Sequence, residues 1–385
     1  TSLNFLTTLS RSANDTGAWA AGVSHAHDYN VPTQPRGSIM RVLVTGGAGY
    51  IGSHTVLELM AQNHEVCVLD NYCNASPEAL ERVRTLSNGT VTSYIGDVRD
   101  AAILDTVMTE FAPDGVIHFA GLKAVGDSKW NPLGYYDVNV SGTVALLQAM
   151  DRAGVHKIIF SSSATVYGEP KYMPSDEVHP TVPTSVYGRT KLMAEDLLID
   201  WCVATPKASA VILRYFNPVG AHPSARIGED PSGVPNNLMP FIAQVAVGKR
   251  DAVQIFGDDY DTPDGTGLRD YIHVVDLARA HVAAVDYAAS HTGARPFNVG
   301  SGESFSVRQV VDAFAKACGK DIPFNVTPRR NGDVAAMQAD ATRAEQELGW
   351  KATHTLADMA QSTWDWQSEN PDGYGCPTSA PAGQI

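Results

Sequence analysis

Apolar residues first gather at Arg41-Val42-Leu43-Val44-Thr45, and this short bounded run predicts a buried strand. After a glycine-rich turn the period lengthens, and Ser53-His54-Thr55-Val56-Leu57-Glu58-Leu59-Met60 predicts a helix. Further apolar runs predict strands at 65–69, 94–98, 116–121 and 157–160. This order predicts an α/β chain built on a doubly wound parallel sheet, with a smaller, irregular α/β domain after it. From about Val219 the composition turns to loops (His222-Pro223, Gly228-Glu229-Asp230-Pro231, Ser232-Gly233), which read as a lid over the strand ends. Residues 307–317 and 342–348 predict amphipathic helices. A last helix is expected near Thr355, with Leu356, Met359 and Trp364 as its apolar stripe and Trp366 beyond. The expected division is an extension without periodicity at 1–39, a first domain at 40–218, a second at 219–374 with room for the chain to cross back, and a disordered tail at 375–385.

The turn after the first strand reads Gly46-Gly47-Ala48-Gly49-Tyr50-Ile51-Gly52 and opens a helix. Strand, glycine turn and helix form the context of a dinucleotide site, because glycines let the backbone approach a pyrophosphate and the helix amino end supplies N–H donors and positive potential. The second strand ends at Asp70, whose carboxylate suits an adenosine ribose and would repel a 2′-phosphate, so NAD is expected over NADP. Ligands in such sheets lie at the carboxyl ends of the strands. That rule adds Asp97 at the third strand's end, suited to the adenine edge, with Asn71 and Val98 as neighbours, and Phe119, Ala120, Gly121 and Lys123 after the fourth.

The fifth strand leads into Ser161-Ser162-Ser163, and Tyr187 and Lys191 stand four apart on the next expected helix. A free phenol titrates near 10 and is a poor base at neutral pH. An ammonium ~5 Å away, at an effective dielectric of about 20, favours the phenolate by roughly 3 kcal/mol, or about 2 pKa units. A serine hydroxyl beside it can relay the proton or hold a substrate oxygen. This is chemistry for oxidising an alcohol while a nucleotide cofactor takes the hydride.

Composition narrows the partners. In 385 residues, 42 acidic side chains outweigh 28 basic ones for a net charge of −14, which argues against nucleic acid. No run of eighteen apolar residues predicts a membrane-spanning helix. The five cysteines (Cys67, Cys73, Cys202, Cys318 and Cys376) are scattered without metal-ligand spacing, so no metal is expected and a reducing, cytoplasmic compartment is. The first 38 residues lack the apolar core of a signal peptide, and Met40 reads as a natural start.

Longer motifs then carry a resemblance. They are residues 45–54, Ser161-Ser162-Ser163-Ala164-Thr165-Val166-Tyr167-Gly168, Leu213-Arg214-Tyr215-Phe216-Asn217-Pro218-Val219-Gly220, Pro235-Asn236-Asn237-Leu238-Met239-Pro240, residues 265–274 and Arg329-Arg330-Asn331-Gly332-Asp333. Through them, residues 40–374 resemble the extended short-chain dehydrogenase/reductase family, most closely its branch that epimerises UDP-hexoses at C4. The resemblance implies a Rossmann domain with bound NAD and a UDP-sugar domain. It makes Tyr187 the acid–base group, Lys191 its electrostatic partner and nicotinamide-ribose ligand, and Ser163 the hydroxyl on the sugar. Cofactor contacts are implied at Gly46, Gly49, Tyr50, Ile51, Gly52, Asp70, Asn71, Asp97, Val98, Phe119, Ala120, Gly121, Lys123, Asn139 and Tyr215. UDP-sugar contacts are implied at Asn217, Asn237, Leu238, Phe256, Arg269, Arg330 and Asp333, the two arginines because guanidinium groups grip phosphate oxygens. Related 4,6-dehydratases carry Thr-Asp-Glu where this chain has Ser163-Ala164-Thr165, so dehydration lacks its carboxylate. Met337, at a position that limits room at the sugar's C2, leaves plain and N-acetylated hexoses both open. A homodimer through 144–147 and 193–198 is implied. The readings that compete are a 4-epimerase for another UDP-sugar and a catalytically silent NAD-binding module.

Overall fold

The first buried run forms β1 (Arg41–Thr45), and the turn after it opens directly into α1 (Tyr50–Ala61) in a computed structural model that describes residues 38–231, 233–235, 237–330 and 332–375. The expected extension, apart from 38 and 39, and the tail beyond 375 lie outside the described residues. The chain continues through β2 (Glu65–Asp70), α2 (Pro77–Ser87), β3 (Thr92–Ile95), α3 (Ala101–Phe111) and β4 (Gly115–His118). Ser76 and Asp100 cap α2 and α3 by accepting first-turn N–H bonds. Two short helices, α4 (Val125–Ser128) and α5 (Pro132–Tyr136), lead through a wide π-type turn at Asp137–Ser141 into α6 (Gly142–Ala153). Then come β5 (Lys157–Ser163), α7 (Val186–Ala204) and β6 (Ser209–Tyr215).

Two strands stop short of their apolar runs. β4 ends at His118 because the N–H groups of Phe119 and Ala120 both donate to Thr45 O, the last carbonyl of β1. β3 ends at Ile95, and Asp97 opens a turn closed by Asp100 N.

The second half holds β7 (Asn217–Val219), α8 (Leu238–Ala246), β8 (Val253–Phe256), β9 (Leu268–His273), α9 (Val274–Ser290), β10 (Gly293–Val299), β11 (Ser304–Ser306), α10 (Val307–Cys318), β12 (Phe324–Thr327), β13 (Ala336–Met337) and α11 (Leu356–Glu369). The helix expected at 342–348 is a single wide turn, Ala344–Leu348, ended by Gly349 in the left-handed region at φ 64. Thr355 caps α11 through a reciprocal pair of bonds with Asp358, and Met359 and Trp366 are its buried anchors.

Among the described residues seven strands form one sheet in the order β10-β6-β5-β4-β1-β2-β3, every pair parallel. Helices cover both faces. Leu57 and Leu59 of α1, Leu80 and Val83 of α2 and Leu277 and Ala284 of α9 pack on one. Leu104 and Val107 of α3, Leu146 of α6 and Ala194 and Leu198 of α7 pack on the other. The chain does cross back: β10 pairs with β6, so residues 274–299 belong to the large sheet and its cover. A smaller sheet has β9 flanked by β11 and β13 and also paired with β7. Its core joins Val219, Met239, Ile242, Tyr271, Phe314 and Met359.

Candidate active site

The glycine turn is built for close approach. Gly46 holds φ +73, and a Cβ there would stand 2.7 Å from Ala120 N. A Cβ at Gly52 would overlap the Gly46 carbonyl. Gly49 begins α1 with no side-chain cap, which leaves the helix amino end to a ligand. Tyr50 donates its hydroxyl to Gly220 O at 2.6 Å, tying this turn to the second half, and Ile51 packs beneath against the core. Asp70 accepts from Ala48 N and Tyr72 N, both at 2.9 Å, so its carboxylate already braces the turn; burial pushes that carboxyl up. Beside it, Asp97 is gripped by Arg99 at 2.8 Å and by the Asn71 amide at 2.9 Å, and these bonds hold its carboxyl well below the usual range. Val98 is buried under this corner.

Asn139 sits in the wide turn and spends its amide on the neighbouring loop. Its Oδ1 accepts from Leu122 N at 2.8 Å, and its Nδ2 donates to Leu122 O and to Thr190 Oγ1, each at 3.0 Å. A Cβ at Gly121 would press on the same Oδ1 at 3.0 Å. The structure thus gives Asn139 the shaping of the loop that carries Phe119, Ala120, Gly121 and Lys123. Lys123 Nζ lies 3.2 Å from Glu229 Oε1, which also accepts from Asn237 Nδ2 at 2.9 Å.

The three serines ending β5 meet different partners. Ser161 O accepts from Lys191 Nζ at 2.6 Å. Ser162 points to the other face and donates to buried Glu195, which is paired with buried Arg214 at 2.6 Å. Ser163 Oγ accepts from Thr165 N at 3.2 Å and Thr165 Oγ1 at 3.0 Å, and the hydroxyl acts to lower the titration of the Tyr187 phenol. Ser185 caps α7 just before Tyr187, which fixes the first turn where the phenol stands.

The electrostatic expectation needs correction. Burial pushes the half-buried Tyr187 phenol up to about 12, with Ser163 acting to lower it, and Lys191 is not the dominant influence. The reason is geometric: Lys191 Nζ is turned to the Ser161 carbonyl, 5.9 Å from the Tyr187 ring centroid and 4.9 Å from that of Phe160. Burial of Lys191 pushes its own ammonium down to about 8, with Glu195 acting to raise it.

In the second half Arg330 lies 4.5 Å over the Phe256 ring and pairs with Asp333 at 2.9 Å, so these three expected ligands stand together. Arg269, on β9, faces Met337 of β13 in register and donates to Leu268 O at 2.8 Å. Asn237 and Leu238 open α8, and Asn217 lies on β7 in register with Tyr271 of β9. Tyr215, ending β6 in register with Ser163, places its hydroxyl 2.5 Å from His281 Nε2.

Four supporting residues were not singled out from sequence. Glu195 continues the Tyr187–Lys191 stripe by another four residues, a spacing that could have exposed it. Glu229 lay in the Gly-Glu-Asp-Pro loop without a visible partner. Asp270, fully buried, accepts from Ser301 N at 2.7 Å, Gly302 N at 3.0 Å and Ala339 N at 3.1 Å, and His281 binds Tyr215; both contacts bridge distant segments.

Comparison with known proteins agrees with this geometry. The family model described as GDP-mannose 4,6 dehydratase matches residues 43–363. A UDP-glucose 4-epimerase of Yersinia pestis is 55% identical over 336 residues, 87% of this chain and 99% of its own. The crystal structure of UDP-glucose 4-epimerase from Bifidobacterium longum in complex with NAD+ and UDP is 54% identical with a TM-score of 0.84, covering 86% of this chain and 99% of that one. The UDP-Glc/GlcNAc 4-epimerase of Campylobacter jejuni is 38% identical with a TM-score of 0.75, over 86% of this chain and 99% of its own. Identity at this level along nearly the whole of these relatives, on the same parallel-sheet fold, places the chain in the UDP-glucose 4-epimerase family.

Proposed function

We propose that this chain interconverts UDP-galactose and UDP-glucose by inverting the sugar at C4 with tightly held NAD. The observation that carries the reading is the convergence of Ser163, Tyr187 and Lys191 at the strand ends beside the glycine turn. The cradle fits a dinucleotide: Gly46, Gly49 and Gly52 leave room for backbone to meet pyrophosphate, and Asp70 stands at the end of β2 for the ribose. NAD supplies the hydride acceptor and donor when bound, so inversion carries no net redox change. Tyr187 takes the proton of the sugar 4-hydroxyl and returns it, and Ser163 holds the oxygen while the proton moves. Lys191, fixed by the Ser161 carbonyl, supplies positive charge beneath the phenol and a donor for the nicotinamide ribose. Arg269 and Arg330 grip the diphosphate, so the sugar can turn while UDP stays held. Ala164 and Thr165 follow Ser163 where dehydration would require a carboxylate. Met337 is half-buried, and its flexible side chain suits plain hexoses without closing the site to N-acetyl sugars.

The enzyme acts as a homodimer in a reducing, cytoplasmic setting in this reading. Exposed Met193 and Ile199 on α7 support the first, and the unpaired thiols Cys67, Cys73, Cys202 and Cys318 support the second. Among the described residues no helix is long and apolar enough to cross a membrane. The test is conversion of UDP-galactose to UDP-glucose by purified protein with no NAD added. Product is expected; no product even with NAD supplied would refute the assignment.

A further inference from the structure

His281 is given no role by the reading above, yet it touches two residues of the expected cofactor site. It is fully buried on α9. Its Nδ1 lies 2.8 Å from Leu277 O, and a carbonyl can only accept, so Nδ1 carries the ring proton. Nε2 is then a lone pair, and the Tyr215 hydroxyl 2.5 Å away must donate to it. The single proton of Tyr215 is thereby drawn into α9, and its oxygen is left as an acceptor. The imidazole also packs against Phe119, which follows β4, with ring centroids 4.7 Å apart. One side chain thus braces the ends of two strands of the sheet.

We propose that His281 is a positioning residue for the cofactor: by taking the Tyr215 proton it presents the Tyr215 oxygen to N–H donors only, and so selects a carboxamide over a carboxylate on the pyridine ring. The inference rests on the NAD reading. A carboxamide offers two N–H donors, whereas a carboxylate offers only acceptors and would face the Tyr215 oxygen lone pair to lone pair.

The test is a competition. Purified protein is equilibrated with equal excesses of NAD and nicotinic acid adenine dinucleotide, re-isolated, and its bound dinucleotides are released and quantified. The wild type is expected to hold NAD in clear preference. His281→Phe keeps an aromatic ring against Phe119 but removes the acceptor, frees the Tyr215 proton to meet a carboxylate, and lowers the preference about tenfold or more. His281→Gln retains an acceptor and keeps most of the preference. If the phenylalanine variant does not fold, Tyr215→Phe removes the accepting oxygen and is expected to lower the preference as well. A wild type indifferent to the two dinucleotides, or a folded His281→Phe or Tyr215→Phe protein with the wild-type ratio, overturns the proposal while leaving the epimerase reading intact. A wild type that binds neither dinucleotide overturns both.

Discussion

Lowering the pH from 7 to 5 should strip this fold of a large share of its stability. Three histidines are sealed in the large sheet and its covering helices: His54 and His118 are 1% exposed and His281 is 0% exposed. Burial pushes His54 and His118 down to about 3 and His281 down to about 4. In an unfolded chain each titrates near 6.5. Between 6.5 and about 4 the unfolded state therefore binds protons that the folded state refuses, and stability falls as the pH falls. At about 1.4 kcal/mol per pH unit, each histidine costs about 2 kcal/mol by pH 5, or about 6 kcal/mol for three. Asp270 works in the opposite sense. Its buried carboxyl is pushed up to about 6, so the folded state takes that proton first and regains roughly 1–1.5 kcal/mol by pH 5. The loss carried by these four groups, about 4–5 kcal/mol, compares with about 5–15 kcal/mol for a whole typical domain. Urea unfolding followed by tryptophan fluorescence at pH 7, 6 and 5 should show the midpoint falling steadily. His118, held between Thr45 at 2.7 Å and Thr143 at 3.1 Å, gives the single-site control. His118→Gln should remove about 2 kcal/mol of the loss between pH 7 and 5. Stability that is flat or rising from pH 7 to 5 would refute the reasoning.

Tyr187→Phe should lower kcat by about 10²–10⁴, with UDP binding by calorimetry unchanged. Glu195→Gln leaves the Arg214 guanidinium buried without its charge partner and should cost about 3–5 kcal/mol in urea unfolding, part of which Glu195→Gln with Arg214→Met regains. Gly46→Ala forces a side chain into φ +73 against Ala120 N; it should cost about 1–2 kcal/mol and release NAD during gel filtration. Arg330→Ala removes a charge-assisted phosphate grip and should raise the KM for UDP-galactose about 10–100-fold with little change in kcat.

The parts legible in the sequence were those written in local pattern. A buried run followed by glycines and a helix has few structural meanings, so β1, the turn and α1 could be placed, and Ser163 and Tyr187–Lys191 followed from their order behind β5. Register needs tertiary pairing, and there the reading thinned. Nothing near residue 293 says that β10 returns to lie beside β6, because its partner is some eighty residues away in sequence. The Lys191 effect was misjudged for the same reason. Spacing along a helix places two groups on one face, but the Ser161 carbonyl that draws Nζ aside arrives from another strand. Asn139 was named through the resemblance, but its bonds to Leu122 and Thr190, which hold the loop after β4, could not be read from local pattern.

The return of the chain to the large sheet bears on how the molecule is made. A ribosome that has released residue 218 has delivered six of the seven strands, but neither β10 nor α9, the helix that covers α1 and faces Tyr215. About 80 more residues must emerge, roughly 4–16 s of synthesis, before that face can close. Until then Leu213, Val211 and the inner side of α1 stay uncovered. A fragment cut at 218 would carry the whole glycine turn and Tyr187 and still be a sticky, unfinished sheet. The large sheet is thus closed by a strand that follows the intervening residues 219–292, and cutting the chain anywhere between leaves it unfinished.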